Sequence, residues 1–170
     1  DRVCTLARRY GAAVVALTIH EDGMALTVAD KVATAKRIHA RAVGHHGLRQ
    51  ADLLFDALTF TIGSGDASLR NAAAATLEAI RRIKEELPGV GTVLGVSNIS
   101  YGLAPGARRV LNSVFLHEAV AAGLDAAIVD VARILPLHLI DETARRRALD
   151  LIYNRETETG RDPLHAFIEA

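Results

Sequence analysis

Four short apolar segments of this sequence each lead into polar residues that are able to bind a ligand. The polar residues that follow them are Thr18, His20, Asp56, Ser97, Asn98 and Asp130. An aspartate offers two acceptor oxygens to a planar ligand edge with adjacent N–H groups, whereas an asparagine offers one donor and one acceptor to a ring nitrogen. We therefore predict one binding site where these segments end.

A simpler interpretation stays open for each of these residues taken alone. An aspartate or asparagine after a strand commonly caps the next helix or hydrogen-bonds within a loop. The prediction of a shared site therefore depends on the four segments ending side by side.

Other catalytic patterns in the sequence are incomplete. "GVSNI" has Ile99 where a nucleophile elbow needs its second glycine, so Ser97 is not a predicted nucleophile. "HEAVA" has Ala121 where a metalloprotease helix needs its second histidine. The adjacent His45 and His46 indicate the end of a helix, because no third metal ligand lies near them in the sequence.

Two further features have simple structural interpretations. "GSGD" resembles a phosphate-binding turn, but the carboxylate of Asp66 would repel a phosphate, so we predict a cap or a hinge there. Cys4 is predicted to be a packing residue, since it lies far from the segment ends. Neither feature changes the predicted site.

The elements that must position the site alternate along the chain. Four segments rich in Val, Ile and Leu lack polar alternation, which is typical of parallel strands buried on both faces. They are residues 12–19, 52–55, 92–96 and 126–130. Capping residues, helical spacing and Pro-Gly stops predict helices at residues 27–43, 67–87, 107–122, 142–153 and 163–170.

This alternation predicts half of a β/α barrel. The strands start 34 to 41 residues apart, and a complete eight-stranded barrel needs about 250 residues, whereas this chain has 170. A half-barrel exposes two sheet edges and one sheet face. The chain is therefore expected to be a fragment of a larger unit or to self-associate, and "DRVCTLARRYG" indicates a helix that is already under way at residue 1.

Composition excludes several classes of partner. Twenty basic residues balance 20 acidic ones, so no net charge attracts the chain to nucleic acid or to a lipid surface. A single cysteine excludes an internal disulfide framework, and no apolar stretch reaches the roughly 18 residues that span a bilayer. We expect a soluble, cytoplasmic protein without nucleic-acid or membrane partners.

Three stretches carry a resemblance to a known family. "LLFDALTFTIGSGD", "GVSNISYGLAPGARRVLNSVFLHEAVAAGLDAAIVD" and "IYNRETETGRDPLHAF" resemble the pterin-binding domain of cobalamin-dependent methionine synthases. The resemblance covers nearly the whole chain and corresponds to strands five to eight of a barrel similar to that of dihydropteroate synthase. It implies that residues 1–170 form one partial domain, the C-terminal half of a pterin-binding barrel.

The resemblance also implies an activity and its residues. The complete domain would bind 5-methyltetrahydrofolate and present its methyl group to cob(I)alamin for transfer to homocysteine. Asp56 matches the family aspartate that pairs with the amino and N–H edge of the pterin. Asn98 matches the asparagine that reaches N5, the atom that loses the methyl group, and Arg108 matches a family arginine near the substrate.

Cofactors and partners follow from the same resemblance. Cobalamin and zinc would be bound by other domains of the full-length enzyme, and no metal or cofactor is expected on this chain. The implied partners are the N-terminal half of the barrel and the homocysteine and cobalamin domains, with a homo-oligomer as the other expected assembly. Two alternatives remain open: a folate-dependent methyltransferase that serves a corrinoid protein, and a catalytically silent half-barrel that pairs with itself.

Overall fold

The computed structural model describes residues 1–20, 23–156 and 160–169. Residues 157–159, within the third stretch of the resemblance, and Ala170, the predicted end of the last helix, lie outside the described residues. The strands are β1 (Val14–Leu17), β2 (Ile19–His20), β3 (Gly23–Met24), β4 (Leu53–Asp56), β5 (Gly91–Gly95) and β6 (Ala126–Ile128). The helices are α1 (Arg2–Tyr10), α2 (Val28–His39), α3 (Ala72–Glu86), α4 (Pro105–Ala121), α5 (Glu142–Ile152) and α6 (Pro163–Ile168).

The four main strands form one parallel sheet in the order β1-β4-β5-β6. The predicted fold class is thereby confirmed, and each of these strands lies close to its predicted position. Parallel neighbours need crossover connections, and α2, α3 and α4 supply them between successive strands. All four carboxyl ends consequently lie at one edge of the sheet.

The first predicted strand is shorter than expected. β1 ends at Leu17, the backbone N–H of Thr18 still donates to the carbonyl of Asp56 at 3.0 Å, and the chain then enters the antiparallel pair β2–β3. This pair was not predicted, although Gly23 follows an aspartate and Asp-Gly is typical of hairpin turns. Gly23 has a φ of 131°, a backbone conformation that side chains rarely adopt.

Helix boundaries differ most from the predictions in two places. α2 begins after Thr27, whose hydroxyl accepts from the N–H of Asp30 as predicted, but it continues into a π-helical turn at Ala40–His45. α3 begins at Ala72 instead of residue 67, because Asp66 caps a separate 3₁₀ turn at Ala67–Leu69 by accepting from the N–H of Ser68. The predicted capping role of the "GSGD" aspartate is confirmed.

The hydrophobic core lies between the sheet and its helices. Phe55 and Leu94 on the strands and Ile80 and Phe115 on the helices are fully buried. Cys4 packs against the edge of this core, in agreement with its predicted packing role. Because successive strand residues point to opposite faces, the residues next to Phe55 and Leu94 point away from the helices.

The opposite face of the sheet is open. Val15, Leu17 and Ile128 point away from the helices and are 52%, 49% and 66% exposed. The strand register places these residues in the rows that would face the interior of a closed barrel. Within the described residues, this sheet face is therefore uncovered, and neither β1 nor β6 has a second strand beside it.

We predict that this open face makes the isolated chain self-associate at micromolar concentration, because contiguous exposed apolar surface favours burial against another copy. The double variant Leu17→Glu, Ile128→Glu should raise the dissociation constant at least about tenfold, since each new carboxylate would lose its hydration in the contact. Sedimentation equilibrium measures the effect, and Val120→Glu, at an exposed apolar position of α4, is the matched control. A wild-type chain that stays monomeric, or a double variant that associates as strongly as the wild type, would contradict this expectation.

Candidate functional site

Asp56 is the last residue of β4 and points to the open face of the sheet. Its neighbour Phe55 points to the helices and is fully buried, so strand alternation turns Asp56 the other way. In the register, Asp56 lies in one row with Leu17 and Val93. Within the four strands of this sheet, it is the one charged side chain on the open face, and it therefore marks a specific point on an apolar surface.

The charge of Asp56 is set by opposing influences. Burial raises the pKa of its carboxyl group, whereas the N–H of Leu58 and the ammonium group of Lys31 act in the opposite direction. Oδ1 accepts from the backbone N–H of Leu58 at 2.9 Å. This bond uses one of the two lone pairs of Oδ1, and the described residues place no donor on Oδ2, so each carboxylate oxygen can still accept from a ligand.

The turn after β4 has an unusual conformation. Leu58 has a φ of 61°, in the left-handed region that a leucine rarely occupies. Two donors hold its carbonyl, the hydroxyl of Thr76 at 2.9 Å and the Nζ of Lys31 at 3.2 Å. Strained backbone of this kind persists where the surroundings determine it, and it commonly occurs at ligand sites.

Asn98 lies on the neighbouring loop, in the 3₁₀ helix Val96–Ser100 that follows β5. Its Nδ2 donates to the carbonyl of Thr59, and because a carbonyl only accepts, this contact fixes the orientation of the amide. The side chain is exposed, and the described residues place no donor on its Oδ1. The free oxygen of Asn98 is therefore presented to a ligand at this edge of the sheet.

Further bonds join the two loops. The N–H of Ile62 donates to the carbonyl of Ile99 at 3.0 Å, and the hydroxyl of Thr61 donates to the carbonyl of Tyr101 at 2.7 Å. Together with the bond from Asn98, they make the two loops one unit. The structure thus joins the loops that carry Asp56 and Asn98, and a shared ligand site between them stays a prediction.

Arg108 lies behind the Asn98 loop. From α4, its Nε donates to the hydroxyl of Ser100 at 3.2 Å and its Nη2 donates to the carbonyl of Ser97 at 3.3 Å. Ser100 in turn donates to the carbonyl of Ser97 at 3.2 Å. Arg108 therefore braces the loop, and it also lines a cleft of about 270 Å³ that reaches towards the segment after β6.

The other polar residues at the strand ends have structural roles. The hydroxyl of Thr18 donates to the carbonyl of Asp56 at 3.2 Å, which supports the end of β4. Asp130 accepts from the N–H of Ala132 and pairs with Arg133 at 3.0 Å, so it fits the simpler interpretation as a cap. His20 lies in β2 with its Nε2 3.2 Å from Nη1 of Arg37.

Lys31 is a site residue that was not predicted from the sequence. Among the described residues it is the one charged residue that is fully buried, and its Nζ donates to the carbonyls of Ala57 and Leu58. Burial lowers its pKa to about 8, while the nearby carboxylate of Asp56 favours the charged form. A signal was present, because Lys31 stands one turn before Ala35 on the apolar stripe of a helix, where a charged residue is unexpected.

Metal and membrane sites have no support in the described part of the chain. In the described ranges, no three His, Cys, Asp or Glu residues come close enough together to hold a metal ion. His45 and His46 end the π-helical turn, as predicted, and His46 pairs with Asp1 at 3.0 Å. Over the same ranges, no helix combines the length and the apolar character needed to cross a membrane.

The fold is that of a parallel β/α protein, and polar side chains lie at the carboxyl ends of its strands, where such folds bind their ligands. Residues 1–130 match the family of pterin binding enzymes. The chain therefore belongs to the pterin binding enzyme family, and the resemblance seen in the sequence motifs is confirmed.

Comparison with individual proteins is more specific. Over 159 residues, which are 94% of this chain and 13% of the relative, it is 51% identical to a methionine synthase of Mycobacterium leprae (strain TN). Over 163 residues, 96% of this chain and 14% of the relative, it is 50% identical to a methionine synthase of Mycobacterium tuberculosis (strain ATCC 25618 / H37Rv). The chain thus spans only a small part of the length of these relatives.

The buried ammonium of Lys31 predicts a pH-dependent stability. The folded chain releases this proton near pH 8, whereas the unfolded chain holds it until about pH 10.5, so the unfolded state binds more protons between these values. The free energy of unfolding of the wild type, relative to Lys31→Met, should therefore rise by up to about 3 kcal/mol from pH 8 to 10.5. Urea unfolding of the wild type and of Lys31→Met across this pH range measures the difference, and Lys36→Met is the control. A difference that stays constant or falls with pH would contradict the lowered pKa of Lys31.

The bracing role of Arg108 is tested by amide exchange. Arg108→Met removes two donors from the Asn98 loop, at a cost of about 1 kcal/mol, so the amides of Tyr101 and Leu103 should exchange about fivefold faster. Arg109→Met, at the exposed neighbouring position of the same helix, should leave both rates unchanged. Equal rates in the two variants would show that Arg108 does not hold this loop.

Proposed function

We propose that this chain is the folate-binding part of a methionine synthase, in which it helps to transfer the methyl group of 5-methyltetrahydrofolate to cob(I)alamin and on to homocysteine. One observation carries the proposal: the carboxylate of Asp56 and the amide of Asn98 lie on loops that hydrogen bonds join. The two methionine synthases that are about 50% identical to this chain support this function. They favour it over the alternative, a folate-dependent methyltransferase that serves a separate corrinoid protein.

Asp56 is the proposed anchor for the pterin ring. An ionised carboxylate accepts two parallel N–H groups, and a pterin presents such a pair through its amino group and the adjacent ring N–H. The bond from Leu58 holds the carboxylate in one orientation before a ligand arrives. The partly buried position strengthens these contacts, because water competes less for the donors.

Asn98 is the proposed catalytic residue. The amine that remains when the methyl group departs is a poor leaving group unless N5 carries a proton, and only contacts that strengthen as the bond breaks accelerate the reaction. Since Nδ2 is held by Thr59, the oxygen Oδ1 is the atom that accepts from a protonated N5. Arg108 supports substrate binding in this proposal by fixing the loop that carries Asn98.

The remaining components belong to the rest of the enzyme. In this proposal cobalamin and zinc are held by its cobalamin and homocysteine domains, in the cytoplasm, and residues 1–170 are one partial domain. The N-terminal half of the barrel pairs with the edges of β1 and β6 and covers the open face. Further pterin contacts come from that half, so this chain alone is expected to be inactive.

The open apolar face also favours a second candidate, a catalytically silent half-barrel that associates with itself. In that case Asp56 and Asn98 would serve only to hold the loops. A transplant separates the two candidates, because a silent half-barrel would not restore catalysis in a complete enzyme.

The transplant replaces the matched 163 residues of the Mycobacterium tuberculosis methionine synthase with this chain. We expect the chimera to transfer methyl groups and Asn98→Ala to lower kcat by roughly 30-fold to 1000-fold, the 2 to 4 kcal/mol that a single preorganised polar group supplies. Asn71→Ala, at an exposed asparagine before α3, is the control. A folded but inactive chimera, or an Asn98→Ala chimera with the parent kcat, would refute the proposal.

A further inference from the structure

Lys31 contacts the turn after β4 from the side of helix α2. It projects from α2 through the core, and its ammonium group lies 4.7 Å from the centre of the Phe60 ring. It donates to two successive backbone carbonyls, those of Ala57 and Leu58. The side chain is fully buried, so these contacts replace its entire hydration.

The turn that Lys31 holds connects the two site residues. At one end, the N–H of Leu58 donates to the carboxylate of Asp56 at 2.9 Å. At the other end, the carbonyl of Thr59 accepts from the amide of Asn98. A movement of residues 57–59 would therefore displace both groups at once.

Packing does not explain a lysine at this position. A buried ammonium group is costly compared with an apolar side chain of similar size, and a methionine would fill the same space. The charge has a use only at the turn, where it holds backbone oxygens and lies close enough to Asp56 to favour its ionised form. Lys31 therefore lowers the free energy of unfolding relative to an apolar residue, and it fixes the turn that carries the site residues.

We propose that Lys31 is a positioning residue of this site: its ammonium group holds the turn at residues 57–59 and thereby sets the places of the Asp56 carboxylate and the Asn98 amide. The identity of the ligand rests on the proposed function, but the positioning itself does not. Lys31 touches neither ligand nor reacting atom and acts through the turn.

The first test uses this chain without ligand. NMR titration follows the Asp56 carboxyl group and exchange of the Leu58 amide in the wild type, in Lys31→Met and in Lys36→Met, the exposed lysine of the same helix. Lys31→Met should raise the pKa of Asp56, because a nearby positive charge is lost, and should speed exchange at Leu58 about tenfold. Lys36→Met should change neither, and a Lys31→Met chain that resembles the wild type in both would overturn the inference.

A measurement on the wild type covers the case in which Lys31→Met does not fold. Between pH 7 and about 11, a range that extends past the ordinary pKa of lysine, the signals of Leu58 and Asp56 should shift together as Lys31, whose pKa burial lowers to about 8, loses its proton. The carboxylate of Asp56 is the charge that acts on Lys31, so the Asp56 signal reports the loss of the Lys31 proton. The Leu58 signal reports the same proton loss through the turn that Lys31 holds. Signals that stay constant through this range would overturn the inference.

The second test adds the ligand, in the chimera described above. Lys31→Met should weaken binding of 5-methyltetrahydrofolate about tenfold, and in an Asp56→Ala background it should cause little further loss, because both changes act on the same contact. Fully additive losses would indicate a merely structural role and contradict the inference. A chimera that binds no folate while the ligand-free NMR result holds would refute the proposed function and leave the positioning intact.

Discussion

The parallel pairing of β4 with β5 is the constraint on which the site depends. The register that sets Asp56 opposite Val93 ends both strands at the same sheet edge and starts their loops side by side. Hydrogen bonds from the Asn98 amide and from the N–H of Ile62 then join the two loops. These bonds can form only because the two strands end next to each other. A shift of one residue would turn Asp56 into the helical layer and remove its carboxylate from the open face.

Charge in an apolar setting explains the chemistry of the site. On the open face of the four strands, Asp56 is the one charged side chain. Because the group is partly buried, the pKa of its carboxyl group is raised. Lys31, buried beneath the turn, opposes this effect while its own pKa falls to about 8. Each of these charges alone would be unfavourable in an apolar setting. Together they favour an ionised carboxylate in a fixed orientation, which is the group that recognises a planar N–H edge.

Much of the fold and the places of Asp56 and Asn98 within it could be predicted from the sequence, and the omissions have physical reasons. Short apolar runs and the polar residues at their ends are local patterns, so β4, β5 and the positions of Asp56 and Asn98 at the strand ends were predicted. The β2–β3 pair was missed because two residues per strand give no periodicity. The role of Lys31 was missed because it depends on a turn 26 residues away, and tertiary contacts of this kind leave only a misplaced charge in the sequence.

Calorimetric titration of the chimera with 5-methyltetrahydrofolate, beside the same protein carrying Asp56→Ala, tests the pterin site most directly. We expect binding by the parent chimera and at least about tenfold weaker binding by the variant, since a carboxylate that accepts two N–H groups contributes more than one neutral hydrogen bond. A folded parent that binds no folate, or equal affinity in the two proteins, would contradict the claim that Asp56 and Asn98 form a pterin site.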